Sequence, residues 1–355
     1  MSNIAKIQKA LTRASLNALL LTAPTDRQYA AGFASSYGYV LILPEKAFLL
    51  TDSRYTEAAR ETARDTRVLE VSAKQSAGAL LRELLAEAGI KSIGVQEESL
   101  SFAQYKRLET ELGVEFVPAQ SLTKSLRQIK EPYEIENIVA AQRIAEKALD
   151  STLPLLREGV SEREIAAELE YQMMRGGGQG AAFETICVSG ERSSLPHGVP
   201  GDRRLRHGDF ITVDFGCKVN GYCSDMTRTL ALGYATDEMR RVYDIVLRAQ
   251  AAGISALRAG ASGKAVDGAA RKLIAKEGYG DFFGHGLGHC LGLDIHEEPS
   301  ASPRGAAEIP AGAVITCEPG IYLPGRFGVR IEDLLLVTQT GCENLTHAPK
   351  SLIVL

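Results

Sequence analysis

Two rhythms of apolar residues alternate along the first third of the chain. Short runs rich in Leu, Ile and Val at residues 18–21, 39–43, 48–51, 92–95 and 114–117 predict strands. Between them, segments 4–13, 54–62, 77–88 and 102–112 carry the amphipathic spacing of helices. Alternation of this kind predicts an α/β layer domain. It ends near Leu126, where Ile129-Lys130-Glu131-Pro132 reads as an extended pre-proline segment followed by a proline suited to the first turn of a new helix. We therefore expect one domain over residues 1–125 and a second over 126–355.

The second domain opens with a helix over 132–155. Another starts at Ser161, where Ser161 and Glu164 form a capping box, and stops at Gly176-Gly177-Gly178. Beyond Phe183 strand-like segments dominate, interrupted by helices over 236–257 and 262–277. Runs of helices beside runs of antiparallel strands predict an α+β architecture. Two glycine motifs carry no nucleotide chemistry. Gly176 to Gly180 follows a helix instead of a strand, and Gly263-Lys264 lacks the upstream glycine of a phosphate loop.

One hairpin can be placed in register from its turn alone. Asn220-Gly221 is the signal for a two-residue type I′ turn, so Val219 faces Tyr222 and Asp214 opposes Thr227. Period-two alternation then sets Asp214 and Asp225 on one face, as diagonal neighbours about 7–8 Å apart. Two carboxylates so placed raise each other's pKa, and a cation between them removes the conflict. For the pair alone, acids that simply face solvent are the plainer reading.

Composition narrows the classes. With 45% hydrophobic and 24% charged residues in 355, the chain is an ordinary globular protein. Forty basic against forty-four acidic residues leave a net charge of −4, which argues against a nucleic-acid partner. The first fifteen residues, with Lys6, Lys9 and Arg13 on a helical pattern, offer no secretory core, and no stretch approaches the roughly 20 apolar residues of a membrane span. The cytoplasm is the expected compartment, and the six cysteines are expected as free thiols. Cys217 and Cys223 miss opposition by one in the hairpin register, which argues against a bridge between them. All six histidines and all six cysteines lie beyond residue 186, so the chemistry should belong to the second half.

Three further segments change the weight of the aspartate pair. His289 and His296 sit in the glycine-rich stretch His285-Gly286-Leu287-Gly288-His289-Cys290-Leu291-Gly292-Leu293-Asp294-Ile295-His296. Glu318 is embedded in Val314-Ile315-Thr316-Cys317-Glu318-Pro319-Gly320-Ile321-Tyr322, and Glu332 in Gly328-Val329-Arg330-Ile331-Glu332-Asp333-Leu334. Acids inside apolar runs must be paired or bound to metal.

Taken jointly, these segments resemble those of the pita-bread metallopeptidases of the Xaa-Pro aminopeptidase and prolidase type, over essentially the whole chain. The resemblance implies a creatinase-like α/β N-terminal domain and a pita-bread catalytic domain, a curved antiparallel sheet with helices. It implies that Asp214 chelates one divalent ion, that Asp225 and Glu332 bridge two, and that His289 and Glu318 complete the second. It gives Glu318 a further role as general base, His296 as donor to the developing oxyanion and His197 as a second substrate-facing histidine, with His285 at a further pocket position. An oxygen-rich set with one imidazole suits Mn²⁺ first, with Co²⁺, Fe²⁺ or Zn²⁺ as alternatives.

The expected reaction is removal of an N-terminal residue that precedes proline, an Xaa-Pro aminopeptidase. The alternatives are a strict Xaa-Pro dipeptidase or, from another class, a non-catalytic pita-bread module that binds peptides. Methionine aminopeptidases generally lack the N-terminal domain, and creatinase-type hydrolases lack the ligands. A homodimer is implied by resemblance alone. His197 and His296, each taken alone, read more readily as hydrogen-bonded core histidines, a reading that the matched site reverses, and Arg330 reads equally as an orienting group or a structural ion pair.

Overall fold

Leu19–Leu21 (β1) buries every side chain, and a strand of that kind needs cover on both faces. In the computed structural model, which describes residues 1–355, it lies inside a six-stranded mixed sheet. The other strands are Tyr39–Ile42 (β2), Ala47–Asp52 (β3), Arg67–Val71 (β4), Ser92–Val95 (β5) and Glu115–Pro118 (β6), in the order β4-β3-β2-β1-β5-β6. Helices Asn3–Arg13 (α1), Pro24–Ala31 (α2), Thr56–Thr62 (α3), Ala77–Glu87 (α4), Phe102–Leu112 (α5) and Gln120–Arg127 (α6) accompany the sheet, giving the α/β layer domain that the alternation predicts. These elements form one compact unit, Met1–Arg127.

Three of its elements escape apolar periodicity. Helices α2 and α6 turn polar residues inward: Asp26 accepts from Arg127 at 2.8 Å and from Thr123 at 3.3 Å, and it also pairs with Gln96. Strand β4 is an edge strand with no fully buried residue.

The second unit, Gln128–Leu355, is α+β. Helices Pro132–Thr152 (α7) and Glu162–Arg175 (α8) pack through Ala145, Leu149, Ile165 and Leu169 on a core shared with Val213, Phe215 and Leu230. Ser161 caps α8 and forms the expected box with Glu164. That core belongs to a three-stranded antiparallel sheet of Ile186–Ser189 (β7), Phe210–Phe215 (β8) and Met226–Ala231 (β11). Between β8 and β11 the short strands Lys218–Val219 (β9) and Tyr222–Cys223 (β10) continue the hairpin to its tip. Asn220 takes φ 49° and Gly221 φ 82°, the left-handed pair that a type I′ turn demands. The predicted register holds from Val219↔Tyr222 down to Asp214↔Thr227.

Helices Asp237–Ala256 (α9) and Gly263–Lys276 (α10) cover a second sheet through Val246, Ala249, Ala270 and Ile274. Its strands are Gly288–Cys290 (β12), Glu297–Ala301 (β13), Val314–Cys317 (β14), Asp333–Val337 (β17) and Cys342–Asn344 (β18), in the order β13-β12-β14-β17-β18. Gly320–Leu323 (β15) and Phe327–Arg330 (β16) form a separate hairpin that prolongs the β14–β17 pair with the same register. Pro319 sits at the break because it has no N–H to continue the ladder. No helix is long and apolar enough to cross a membrane, and all six cysteines are free.

Both long hairpins are thus interrupted, one near Gly216 and one near Pro319. At the first break a Cβ on Gly216 would lie 1.9 Å from the Ser224 carbonyl oxygen, so only glycine lets the strands approach there. We expect Gly216→Ala to destabilise the protein by about 2 kcal/mol or more. The check is a denaturant titration, and an unchanged midpoint would show that the break tolerates a side chain.

Candidate metal centre

The acids singled out by sequence flank these two breaks. Asp214 lies one residue from the end of β8 and Asp225 immediately before β11. Glu318 follows β14, and Glu332 precedes β17 directly across from it. The apolar runs predicted Glu318 and Glu332 inside strands; both stand instead in the gaps where the ladder stops, which frees their side chains to turn into one cavity.

That cavity encloses about 580 Å³ and is lined by Asp214, Asp225, His289, Glu318 and Glu332, with His197, His285 and His296 on its walls. Donor atoms of Asp225, His289 and Glu332 all lie within 4.8 Å of one another. His289 Nε2 stands 3.6 Å from Asp225 Oδ2 and 3.4 Å from Glu318 Oε1. Its Nδ1 contacts the Cys290 carbonyl at 3.1 Å, and since a carbonyl only accepts, the ring's lone pair points toward the acids. The His296 ring packs edge-on against His289 with centroids 4.4 Å apart. His197 and His296 are exposed at the cavity wall, so neither is a core histidine.

Asp214 faces two ways. Its Oδ2 accepts from Arg330 Nη2 at 2.6 Å, while its Oδ1 is buried with no hydrogen-bond partner. Arg330, which sequence left between two roles, also donates to Thr227 Oγ1 at 3.0 Å, Tyr322 Oη at 2.9 Å and the Pro196 carbonyl at 3.2 Å. It is therefore an ion-pair partner that at the same time orients its neighbours. The Thr227 hydroxyl in turn donates to Glu332 Oε2 at 2.6 Å, and the Thr316 hydroxyl donates to Glu318 Oε1 at 3.0 Å.

Beneath Glu332, Arg228 spends its donors on the carbonyls of Thr227, Glu332, Ala348 and Pro349 and on Asp333 Oδ1. Sequence reasoning missed Thr227, Thr316, Tyr322 and Arg228. The hairpin register, which opposes Thr227 to Asp214, was the one available signal for any of them.

Burial and mutual repulsion set the protonation of the cluster. Asp225 and Glu332 are held well above the usual carboxylate range, first by desolvation and then by the neighbouring acids. Burial pushes Glu318 up to about 8, with Asp214 adding and Arg330 opposing. His289 is pushed down to about 4 by burial and by His296, and His285 to about 4 by burial and by Arg330. An orphaned buried oxygen, acids that resist ionising and a neutral imidazole fit a site for hard divalent cations.

Comparison with known proteins decides the family. The model of metallopeptidase family M24 matches residues 136–339, and that of the creatinase/prolidase N-terminal domain matches residues 3–129. The chain belongs to metallopeptidase family M24. An M24 member is a peptidase, and the family implies divalent metal ions. Among solved structures, the chain is similar to an Xaa-Pro dipeptidase from Bacillus anthracis, with TM-score 0.94, 39% identity and 99% of both chains covered. It is also similar to an X-Pro aminopeptidase from Thermotoga maritima, with TM-score 0.93, 38% identity and both chains covered in full. An Xaa-Pro dipeptidase from Pyrococcus horikoshii is 36% identical over 99% of this chain and 98% of its own.

The titrations predict how the metal-free M24 chain responds to pH. His285 and His289, pushed down to about 4 in the fold, are neutral there above about 6.5 and lose most of their remaining charge in the unfolded chain within the next pH unit, so the raised acids dominate the change at higher pH. Their folded pKa values lie above the unfolded ones, so the native state holds the extra protons and stability falls as pH rises from about 6.5 through about 8. Saturating Mn²⁺ must displace those protons, so the metal-loaded melting temperature should rise over the same interval. Thermal melts with and without Mn²⁺ test this, and parallel curves would refute it.

Proposed function

We propose that the chain is a metal-dependent Xaa-Pro dipeptidase in which Asp214, Asp225, His289, Glu318 and Glu332 hold two divalent ions. The observation that carries the reading is the convergence of four acids and one imidazole on a single cavity, beside two exposed histidines. Manganese is the proposed metal, because carboxylate oxygens outnumber nitrogen and no cysteine lines the cavity. Such ions, when bound, supply the positive charge that acidifies water and polarises a carbonyl.

The chain's own residues do the rest. Glu318, 3.4 Å from His289, is placed to take the proton of the attacking water as general base. His296 faces the same space and donates to the carbonyl oxygen as charge develops on it. His197, also in the lining, would contact the substrate. An Xaa-Pro bond carries no N–H, so the ring must be read by shape, and Phe183, Ile186, Pro196, Val199, Pro200 and Ile295 supply apolar wall for that purpose. Substrates are therefore peptides with proline second.

Length preference is where the comparisons move the reading away from the aminopeptidase expected from sequence. The relatives from Pyrococcus horikoshii and Bacillus anthracis cited above, which align along nearly the whole chain, are named Xaa-Pro dipeptidases and support that reading, although the Thermotoga maritima X-Pro aminopeptidase aligns as fully. One observation favours the aminopeptidase as second reading: Arg330, the lone guanidinium of the lining, is committed to Asp214. A dipeptide's carboxylate is then left to imidazoles and to Ser300 and Ser302.

Metal-loaded protein is expected to hydrolyse Leu-Pro at least ~10-fold faster in kcat/KM than Leu-Pro-Gly, and to leave Leu-Gly intact. Asp225→Asn should lower kcat by about 10³ and reduce bound metal measured by elemental analysis. Equal cleavage of Leu-Gly would overturn the proline reading, and faster tripeptide turnover would install the aminopeptidase.

A further inference from the structure

The wall that carries His197 is the loop segment of residues 190–200, which leaves β7 through one 3-10 turn over Gly190–Ser194, held where the Gly328 N–H donates to Ser193 Oγ at 2.9 Å, and returns to the chain at Gly201. Its tip is apolar and open: Val199 is 70% and Leu195 47% exposed. The turn inside it, where the Gly198 N–H donates to the Leu195 carbonyl, is local. The Pro196 carbonyl takes a bond from Arg330. An exposed tip of this kind holds an imidazole in place more accurately when its two feet are fixed as well.

Both feet stand on one carboxylate. Glu162, the first residue of α8, is wholly buried and lies outside the cavity lining. Its Oε1 accepts from the Ser189 backbone N–H at 2.8 Å and from Ser189 Oγ at 2.9 Å, where the loop departs. Its Oε2 accepts from Arg192 Nε at 3.0 Å and from the Gly201 N–H at 3.1 Å, where the loop returns. Arg192 extends the clamp inward by donating from Nη2 to the Val199 carbonyl at 2.6 Å. Four donors, one of them from a cation, satisfy a charge that burial would otherwise penalise, and the first turn of a helix adds favourable dipole. Because α8 is packed through Ile165, Leu169 and Met173, the clamp refers the loop to a rigid part of the domain.

We propose that Glu162 is a positioning residue for His197, fixing the loop of residues 190–200 as the substrate-facing wall of the cavity. The inference rests on the Xaa-Pro peptidase reading for what His197 does there, and on the four contacts alone for where His197 is held.

A double-mutant cycle on the full metal-loaded chain tests it, with Glu162→Gln, His197→Ala and the double variant assayed on Leu-Pro. An amide keeps the shape but turns an NH₂ toward donors it cannot accept from, so one foot is released. Glu162→Gln is expected to cost about 10-fold in kcat/KM, and His197→Ala to cost distinctly less in that background than in the wild type. Equal costs in both backgrounds would overturn the proposal. The second readout is free of turnover: in metal-free protein with carbon-13-labelled histidine, the His197 resonance, identified by its loss in His197→Ala, should shift in Glu162→Gln while that of His289 stays. An unmoved His197 signal would refute the clamp even if no Xaa-Pro substrate were cleaved, whereas a wild type inactive on Leu-Pro would refute only the functional reading. Should Glu162→Gln fail to fold, Arg192→Met removes one Oε2 donor and the Val199 link from a side chain that is one-third exposed, and the same cycle and spectrum decide.

Discussion

Like charges forced together in a dry pocket govern this molecule. Asp214, Asp225, Glu318 and Glu332 share one cavity, and three of them are nine-tenths or more buried. At about 4 Å and an effective dielectric near 20, each ionised pair costs roughly 4 kcal/mol. A few such pairs rival the 5–15 kcal/mol by which a whole domain is usually stable. In metal-free protein the cluster escapes by retaining protons, which is why Asp225, Glu318 and Glu332 all titrate high. Affinity for cations and intolerance of ionisation are two expressions of the same crowding.

Holding acids in such a place requires a scaffold that does not depend on the acids for its own stability. The two interrupted hairpins supply it: ladders on either side of each break are paired and cored, and Asp225, Glu318 and Glu332 reach the cavity from the gaps, beside Asp214 near the end of β8. Threonine hydroxyls then fix the carboxylates without adding charge, Thr227 on Glu332 and Thr316 on Glu318. Arg228 pins the backbone under Glu332, and its ion pair with Asp333 is shared with Lys350, so the chain's last residues take part in the support.

What could be read in the sequence was whatever obeys a period or a local rule. The Asn220-Gly221 turn set the pairing on both sides of the break, Val219 with Tyr222 and Asp214 with Thr227, because a type I′ turn permits one register. The α8 start was legible from Ser161 and Glu164 because capping is local. Helices α2 and α6 were not, since the faces they bury carry Asp26, Thr123 and Arg127, whose partners are distant in sequence. The same limit hid Thr227 as a relay between Arg330 and Glu332, and it placed Glu318 and Glu332 within strands instead of between them. Periodicity reports which face is apolar; it is silent where a buried face is polar by design of a network.

Glu162 shows how far that silence extends. In sequence it is one more acid in the first turn of a helix, favoured there by the dipole and needing no other explanation. Only in three dimensions does it meet Ser189, Arg192 and Gly201, residues whose common property is that they bracket His197. In the proposed reading the imidazole stands on an exposed loop because a group that meets substrate must be reachable. Accuracy then has to come from a buried contact to a rigid element, and a carboxylate that takes two donors on each oxygen restrains both ends of the loop at once. Buried charge in this protein thus divides into two kinds. At the cavity the acids outnumber the single guanidinium of Arg330, which suits them to cations; at Glu162, Arg228 and Asp26 the charge is met by several hydrogen bonds, which makes it structural.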